Sequence, residues 1–103
     1  MAELIYDGKE YELKYNLKRL EMIEGNTSLP TMAQISRTGG YFGISDLKVY
    51  ISMGLKEKGA DVFVMPGPAG KIAEAIIEQD YREACAAVLE ALERDCPFFF
   101  PKS

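Results

Sequence analysis

The sequence predicts an α+β fold, with an N-terminal β-hairpin followed by a small helical domain of about four to five helices. An Asp-Gly pair lies between two short segments in which apolar and polar residues alternate, and the rest of the chain carries apolar residues at helical spacing between capping and stop signals. With 103 residues and neither repeats nor a linker, the chain is expected to form a single domain. Its parts are a hairpin over 1–15, a helical part over 16–96 and an aromatic tail over 97–103.

The hairpin is predicted from the stretch LIYDGKEYELKY. Asp7-Gly8 favours a two-residue type I′ turn, because both central residues of that turn need positive φ. The turn places Leu4 opposite Tyr11 and Tyr6 opposite Lys9. Since a lone hairpin is marginal in water, its apolar face is expected to pack on the helices. That face carries Leu4, Tyr6, Tyr11, Leu13 and Tyr15.

Two short helices are predicted next. Asn16 is expected to cap the first, which runs through about Glu24 and stops at Gly25-Asn26. Pro30 lies near the start of the second, which Gly39-Gly40 ends. The apolar side of the first helix is predicted to carry Leu17, Leu20 and Ile23.

The third predicted helix begins at a Ser45 cap and ends at Gly59, with Lys56 and Lys58 in its last turn. Gly54 interrupts it. An interior glycine costs about 1 kcal/mol relative to alanine, so we expect Gly54 to permit the close approach of another backbone. The core stripe of this helix is predicted to be Leu47, Tyr50, Ile51 and Leu55.

The stretch DVFVMPGP is predicted to be a loop or a short edge strand, because prolines and a glycine follow at once. A fourth helix follows in PAGKIAEAIIEQ. Asp80 with Glu83 forms an acidic variant of the capping box for the fifth, YREACAAVLEALERD, which Pro97 ends. The inward residues are predicted to be Ile72, Ala73, Ile76 and Ile77 in the fourth helix, and Cys85, Val88, Leu89 and Leu92 in the fifth.

Composition argues against several functional classes. The net charge of −4 makes nucleic acid an unexpected partner, and the absence of histidine removes the usual neutral-pH base and the commonest transition-metal ligand. GPAGK lacks the spacing and the Ser or Thr of a phosphate-binding loop. We therefore predict no catalytic, cofactor-binding or metal-binding residues, and no enzyme. Cys85 and Cys96 are interpreted as small buried or semi-buried thiols rather than a redox pair.

No apolar run approaches the roughly 20 residues needed to cross a bilayer, and no signal peptide is visible. We therefore expect no membrane partner and a cytoplasmic location.

Aromatic residues are the candidate partner contacts. Tyr41 and Phe42 lie among glycines in GGYFG, where they can anchor a partner or fold back as a lid over the core; the lid is the favoured interpretation. Three phenylalanines stand between Pro97 and Pro101, either to dock on a partner or to pack back on the helices. The predicted partner-binding residues are Tyr41, Phe42, Gly54, Phe98, Phe99 and Phe100.

The order DGKEYELKYNLKRLEMIE, then SLPTM, then ISDLKVYISMGLKEKG and a closing Ala/Leu helix resembles the tail assembly chaperones of long-tailed bacteriophages and gene transfer agents. The matching positions span about half of the chain, and their order covers nearly all of it. The segment DVFVMPGP and the aromatic tail are the departures from the resemblance, because no fixed family pattern corresponds to them. The positions that carry the resemblance are Gly8-Lys9, Tyr11, Leu13, Leu17, Leu20, Glu24, Ser45-Asp46-Leu47 and Gly54-Leu55-Lys56.

The resemblance implies a non-enzymatic protein of the host bacterial cytoplasm that is absent from the mature virion. Such proteins bind the long helical tape-measure protein, keep it soluble and bring tail-tube subunits to polymerise around it. Self-association is expected, because an apolar client-binding surface must be hidden when no client is present. A general peptide-binding adaptor that uses exposed aromatic residues is the alternative.

The resemblance also bears on the aromatic tail. Family members are often made in a short form and a longer form, the latter by a minus-one ribosomal frameshift, and the longer form is the one expected to contact the tail-tube protein. Consecutive phenylalanine codons can supply the slippery heptamer U UUU UUC. We therefore hypothesise that Phe98, Phe99 and Phe100 are partly the translated trace of an RNA signal. Phenylalanine codons that break the heptamer in the gene would contradict this hypothesis.

Overall fold

The computed structural model describes residues 4–100, so the first three residues of the predicted hairpin and the last three of the predicted tail lie outside the described residues. Within this range the protein has a three-stranded antiparallel sheet and five α-helices, which confirms the predicted α+β class. The strands are β1 (Leu4–Tyr6), β2 (Lys9–Leu13) and β3 (Leu55–Glu57), in the sheet order β1-β2-β3. The helices are α1 (Leu17–Glu24), α2 (Thr31–Thr38), α3 (Ile44–Gly54), α4 (Pro66–Gln79) and α5 (Tyr81–Asp95), followed by a 3₁₀ turn at Pro97–Phe99.

The hairpin has the predicted turn and register. Asp7 has φ 53° and Gly8 has φ 78°, the pair of positive values that a type I′ turn needs. Leu4 lies opposite Tyr11 and Tyr6 opposite Lys9. Leu4 is buried and its neighbour Ile5 exposed, so the ribbon packs its predicted face on the helices.

The predicted end of the third helix was wrong. Helix α3 stops at Gly54, and the next three residues form β3, antiparallel to β2, with Leu55 opposite Leu13. Lys58 therefore lies beyond a strand rather than in a helical last turn, and its ammonium pairs with Glu10 of β2 at 3.1 Å. The chain leaves the helix because the edge of β2 has backbone groups that need hydrogen-bond partners. With a longer helix those groups of β2 would have stayed unpaired.

Helix starts were predicted correctly where a side chain caps them. Asn16 Oδ1 accepts the Arg19 backbone N–H at 2.8 Å, as expected for the N-cap of α1. The Ser45 cap was wrong: α3 begins at Ile44, and Gly43 occupies the N-cap position without a side-chain hydrogen bond. Helix α4 likewise begins earlier than predicted, at Pro66.

The core lies between the sheet and the helices, with α3 in contact with α1, α4, α5 and β2. One inward prediction was wrong, since Leu17 is 64% exposed. Leu89 is half-buried. The predicted inward residues that the fold buries are Leu20 and Ile23; Leu47, Tyr50, Ile51 and Leu55; Ile72, Ala73, Ile76 and Ile77; and Cys85, Val88 and Leu92.

Both cysteines are free and buried, as predicted. Burial, with the nearby Asp95 carboxylate as a second cause, raises the pKa of the Cys96 thiol. Among helices within residues 4–100, none is long and apolar enough to cross a membrane.

Asp80 caps α5 through its side chain, since Oδ1 accepts the Glu83 backbone N–H at 3.1 Å. We expect Asp80→Ala to lower the free energy of unfolding by about 1 kcal/mol, because that N–H then loses its acceptor. Urea denaturation measures the change. The control is Glu78→Ala on the exposed side of α4, which should stay within about 0.5 kcal/mol of wild type. Equal losses in both variants would contradict the capping role.

Candidate binding groove

An extended segment runs beside β3 after a turn at residues 58–59. We call residues 61–65 (DVFVM) the strap. Its Phe63 forms an isolated antiparallel bridge with Lys56, and the Val64 backbone N–H donates to Leu55 O at 2.9 Å. The segment predicted to be a loop or short edge strand is therefore a loop that two backbone contacts hold against β3.

The strap borders an apolar groove of about 730 Å³ that lies between it, α1 and α3. We call this the methionine groove, because each of its three walls contributes one methionine: Met22, Met53 and Met65. The other lining residues are Arg19 from α1, Asn26 just beyond the end of α1, Val49 and Ser52 from α3, the remainder of the strap, and Pro66 at the start of α4.

The rim of the methionine groove presents large apolar side chains to solvent. Val62 is 72% exposed and Met65 71% exposed, and Met22 is also exposed. Scattered exposed apolar residues are ordinary, but a contiguous set around a concavity is typical of a binding surface. Methionine is flexible and polarizable, so such a surface can adapt to differently shaped apolar side chains.

Arg19 holds the strap in place from α1. Its guanidinium carbon lies 3.7 Å from the centroid of the Phe63 ring, and Lys56 Nζ lies 5.9 Å from the same centroid. Both distances are within the range of a cation–π contact. The ring and the two cations therefore fix one end of the groove, while the methionines leave the rest of its lining adaptable.

A further cavity is smaller, and both apolar and charged side chains line it. It encloses about 220 Å³ between β2 and α5. Both of its cations pair locally, since Lys58 contacts Glu10 and Arg94 contacts Asp95. We therefore regard the methionine groove as the candidate site.

The predicted aromatic contacts divide between surface and core. Phe42 is completely buried, and its ring lies 4.9 Å from that of Tyr50, so it packs as the lid that the sequence favoured. Its carbonyl accepts a hydrogen bond from the Tyr81 hydroxyl, which fixes the loop on α5. Tyr41, next to it, is 54% exposed and remains available to a partner.

Gly54 permits a close approach, but the approaching group is a side chain rather than the predicted backbone. A Cβ added to Gly54 would lie 2.6 Å from Cε1 of Tyr15 and 2.9 Å from its Cζ. The Tyr15 hydroxyl donates to the Tyr50 carbonyl at 2.7 Å, and burial raises its pKa well above the ordinary value, which keeps the donor protonated. In this fold Gly54 is buried under the Tyr15 ring.

The aromatic tail docks only in part. Phe99 and Phe100 are partly buried against the core, whereas Phe98 is 58% exposed. The three rings contact one another in sequence, with centroids 4.9 Å and then 6.3 Å apart. Packing back on the helices thus accounts for two of the three phenylalanines.

Sequence reasoning did not predict the methionine groove. Met22, Met53 and the strap come from three separated parts of the chain, and only the fold brings them together. The available signal was the strap itself, where apolar residues directly precede a helix-opening proline instead of alternating with polar ones.

Comparison with family models, with curated proteins and with solved structures found no match to this chain.

Proposed function

We propose that this protein is a non-enzymatic tail assembly chaperone of a long-tailed bacteriophage or gene transfer agent, which binds the tape-measure protein and keeps it soluble. The proposal starts from the resemblance described above. The methionine groove is the observation that supports it best, because it offers an exposed, adaptable apolar surface of the kind that an aggregation-prone helical client needs.

The groove is expected to take the apolar stripe of a tape-measure helix. An amphipathic helix presents apolar side chains at i, i+3, i+4 and i+7, and three methionines can accommodate varied side chains at those positions. Many copies bound along one long client would make a strong complex from weak individual contacts.

The remaining partners belong to the same proposal. The chaperone acts in the host cytoplasm, recruits tail-tube subunits chiefly through a longer frameshifted form, and associates with itself when no client is present. Val62, Met65 and Phe98 are exposed apolar residues that self-association would cover.

Co-expression with a fragment of the tape-measure protein tests the groove. The double variant Val62→Glu/Met65→Glu introduces two charges at the groove rim, and we expect the soluble, co-purifying fraction of the fragment to fall severalfold, since each buried charge opposes binding. The matched control is Leu17→Glu/Ile44→Glu, which changes residues that are 64% and 66% exposed and do not line the groove. The control should behave as wild type, and circular dichroism should show that both variants remain folded.

Two results would contradict this proposal. No effect of the wild-type protein on fragment solubility would remove the chaperone function, and equal losses in the two double variants would remove the groove from it. Loss only on changing Tyr41 and Phe98 would instead support the adaptor that uses exposed aromatic residues.

A further inference from the structure

Arg19 is the one cation among the residues that line the methionine groove. Its guanidinium lies over the Phe63 ring and, within residues 4–100, forms no ion pair and no side-chain hydrogen bond. A guanidinium carries five N–H donors at its edge, and a ring against its face leaves those donors available. The groove therefore contains a positioned donor set without an acceptor from the described part of the protein.

The position of Arg19 favours pairing with a ligand. Its side chain is half-buried, and the ring contact restricts its rotamers before any ligand arrives. A restricted guanidinium loses less conformational freedom on pairing than a freely rotating lysine does. The opposite charge in the groove is Asp61 on the strap, which likewise has no ion pair within the described range.

We propose that the methionine groove selects an amphipathic helix in which a carboxylate side chain borders the apolar stripe and pairs with Arg19. This inference rests on the proposed function and adds the chemistry of the bound segment to it. Asp61 disfavours a second carboxylate on the strap side of the stripe and accepts a lysine or arginine there. The preferred client segment thus carries an acidic border next to α1 and a neutral or basic border next to the strap.

Binding of three synthetic helical peptides tests the proposal. They share one apolar stripe and carry Glu, Gln or Lys at the same border position. We expect the wild-type protein to bind the Glu peptide roughly two- to fivefold more tightly than the Gln peptide, as for a partly exposed ion pair. The Lys peptide should bind most weakly, and the preference should shrink as salt is raised.

Variants of the protein test whether Arg19 causes the preference for the Glu peptide. Arg19→Gln should bind the Glu and Gln peptides equally, and Arg19→Lys should keep part of the preference. Lys18→Gln is the matched control, because it removes an exposed cation from the same helix that does not line the groove, and it should keep the full preference. A ratio of affinities within one protein variant does not depend on that variant's stability.

Each outcome decides the proposal. Equal binding of the three peptides by the wild type overturns it, as does an unchanged preference in Arg19→Gln. If all three bind equally and Val62→Glu/Met65→Glu abolishes their binding, the groove function stands and the carboxylate selection falls. If none binds, the selection falls, and the solubility of the co-expressed tape-measure fragment decides the chaperone function separately.

Discussion

Gly54→Ala is expected to lower the free energy of unfolding by about 2–3 kcal/mol, the cost of overpacking a rigid core. The new methyl group would lie 2.6 Å from a ring carbon of Tyr15. That ring cannot move aside cheaply. The Tyr15 hydroxyl donates to the Tyr50 carbonyl at 2.7 Å, and the Tyr15 backbone N–H donates to the Asp95 carboxylate at 3.0 Å.

The clash lies at the junction between α3 and β3. Gly54 O accepts the Lys14 backbone N–H at 2.9 Å, so a shift of Gly54 also strains the pairing of β2 with β3. The strap follows β3 and is bonded to it, so the displacement would extend to the wall of the methionine groove. We therefore expect the variant to weaken client binding as well as stability.

Gly70→Ala is the matched control for this prediction. Gly70 lies within α4, and apart from its chain neighbours and the adjacent backbone of its own helix no atom comes within 4 Å of an added Cβ. Alanine should therefore stabilise the protein by about 0.5–1 kcal/mol, because it restricts the unfolded chain and suits a helix. Guanidinium denaturation of the two variants should show shifts of opposite sign, and shifts of the same sign would contradict the packing argument.

A double-mutant cycle identifies the clashing group. In a Tyr15→Leu background the ring is gone. Gly54→Ala should then lower the free energy of unfolding by less than about 1 kcal/mol, which is no more than an ordinary substitution costs. An undiminished cost in that background would mean that Gly54 is required for a reason other than the ring.

The sequence predicted the features that depend on neighbouring residues. The Asp7-Gly8 turn needs only two residues with positive φ, and the Asn16 and Asp80 caps need a side-chain acceptor a few residues before an N–H. The hairpin, the helix order and most inward-facing residues follow from such local rules. This is why the α+β class was predictable.

The errors arose where distant residues decide the conformation. Leu55 fits the apolar spacing of α3, and only the open edge of β2 and the Tyr15 ring make the chain leave the helix at Gly54. The methionine groove also depends on the end of α3 at Gly54, because β3 then carries the strap back towards α1. A helix through Lys58, as predicted, would have given no groove at all.

Asp95→Ala is expected to cost about 2 kcal/mol at neutral pH, because Asp95 joins the end of α5 to the hairpin. Its carboxylate accepts the backbone N–H of Tyr15 at 3.0 Å and two hydrogen bonds of 2.8 Å from the Arg94 guanidinium, with Lys14 Nζ at 3.9 Å. Arg94 also donates to the Leu13 carbonyl. Removal of the carboxylate leaves a partly buried N–H without its acceptor, a loss of about 1–3 kcal/mol.

The same carboxylate makes stability depend on pH. Burial alone would raise the pKa of Asp95, but the hydrogen bonds from Arg94 and from the Tyr15 amide outweigh it and hold that pKa below its usual range. A folded-state pKa below the unfolded value of about 3.9 gives stability that is complete above that value. This contribution is then lost as the pH falls through the folded-state pKa.

Asp95→Asn isolates this pH-dependent part, because the amide oxygen can still accept the Tyr15 N–H but carries no charge. The gap in the free energy of unfolding between wild type and Asp95→Asn should be largest near pH 6 and should narrow below about pH 4. Glu93→Gln, an exposed change on α5, is the control, and its gap from wild type should stay small throughout. If the Asp95→Asn gap remained constant down to pH 3, the ionised carboxylate would not be what ties α5 to the hairpin.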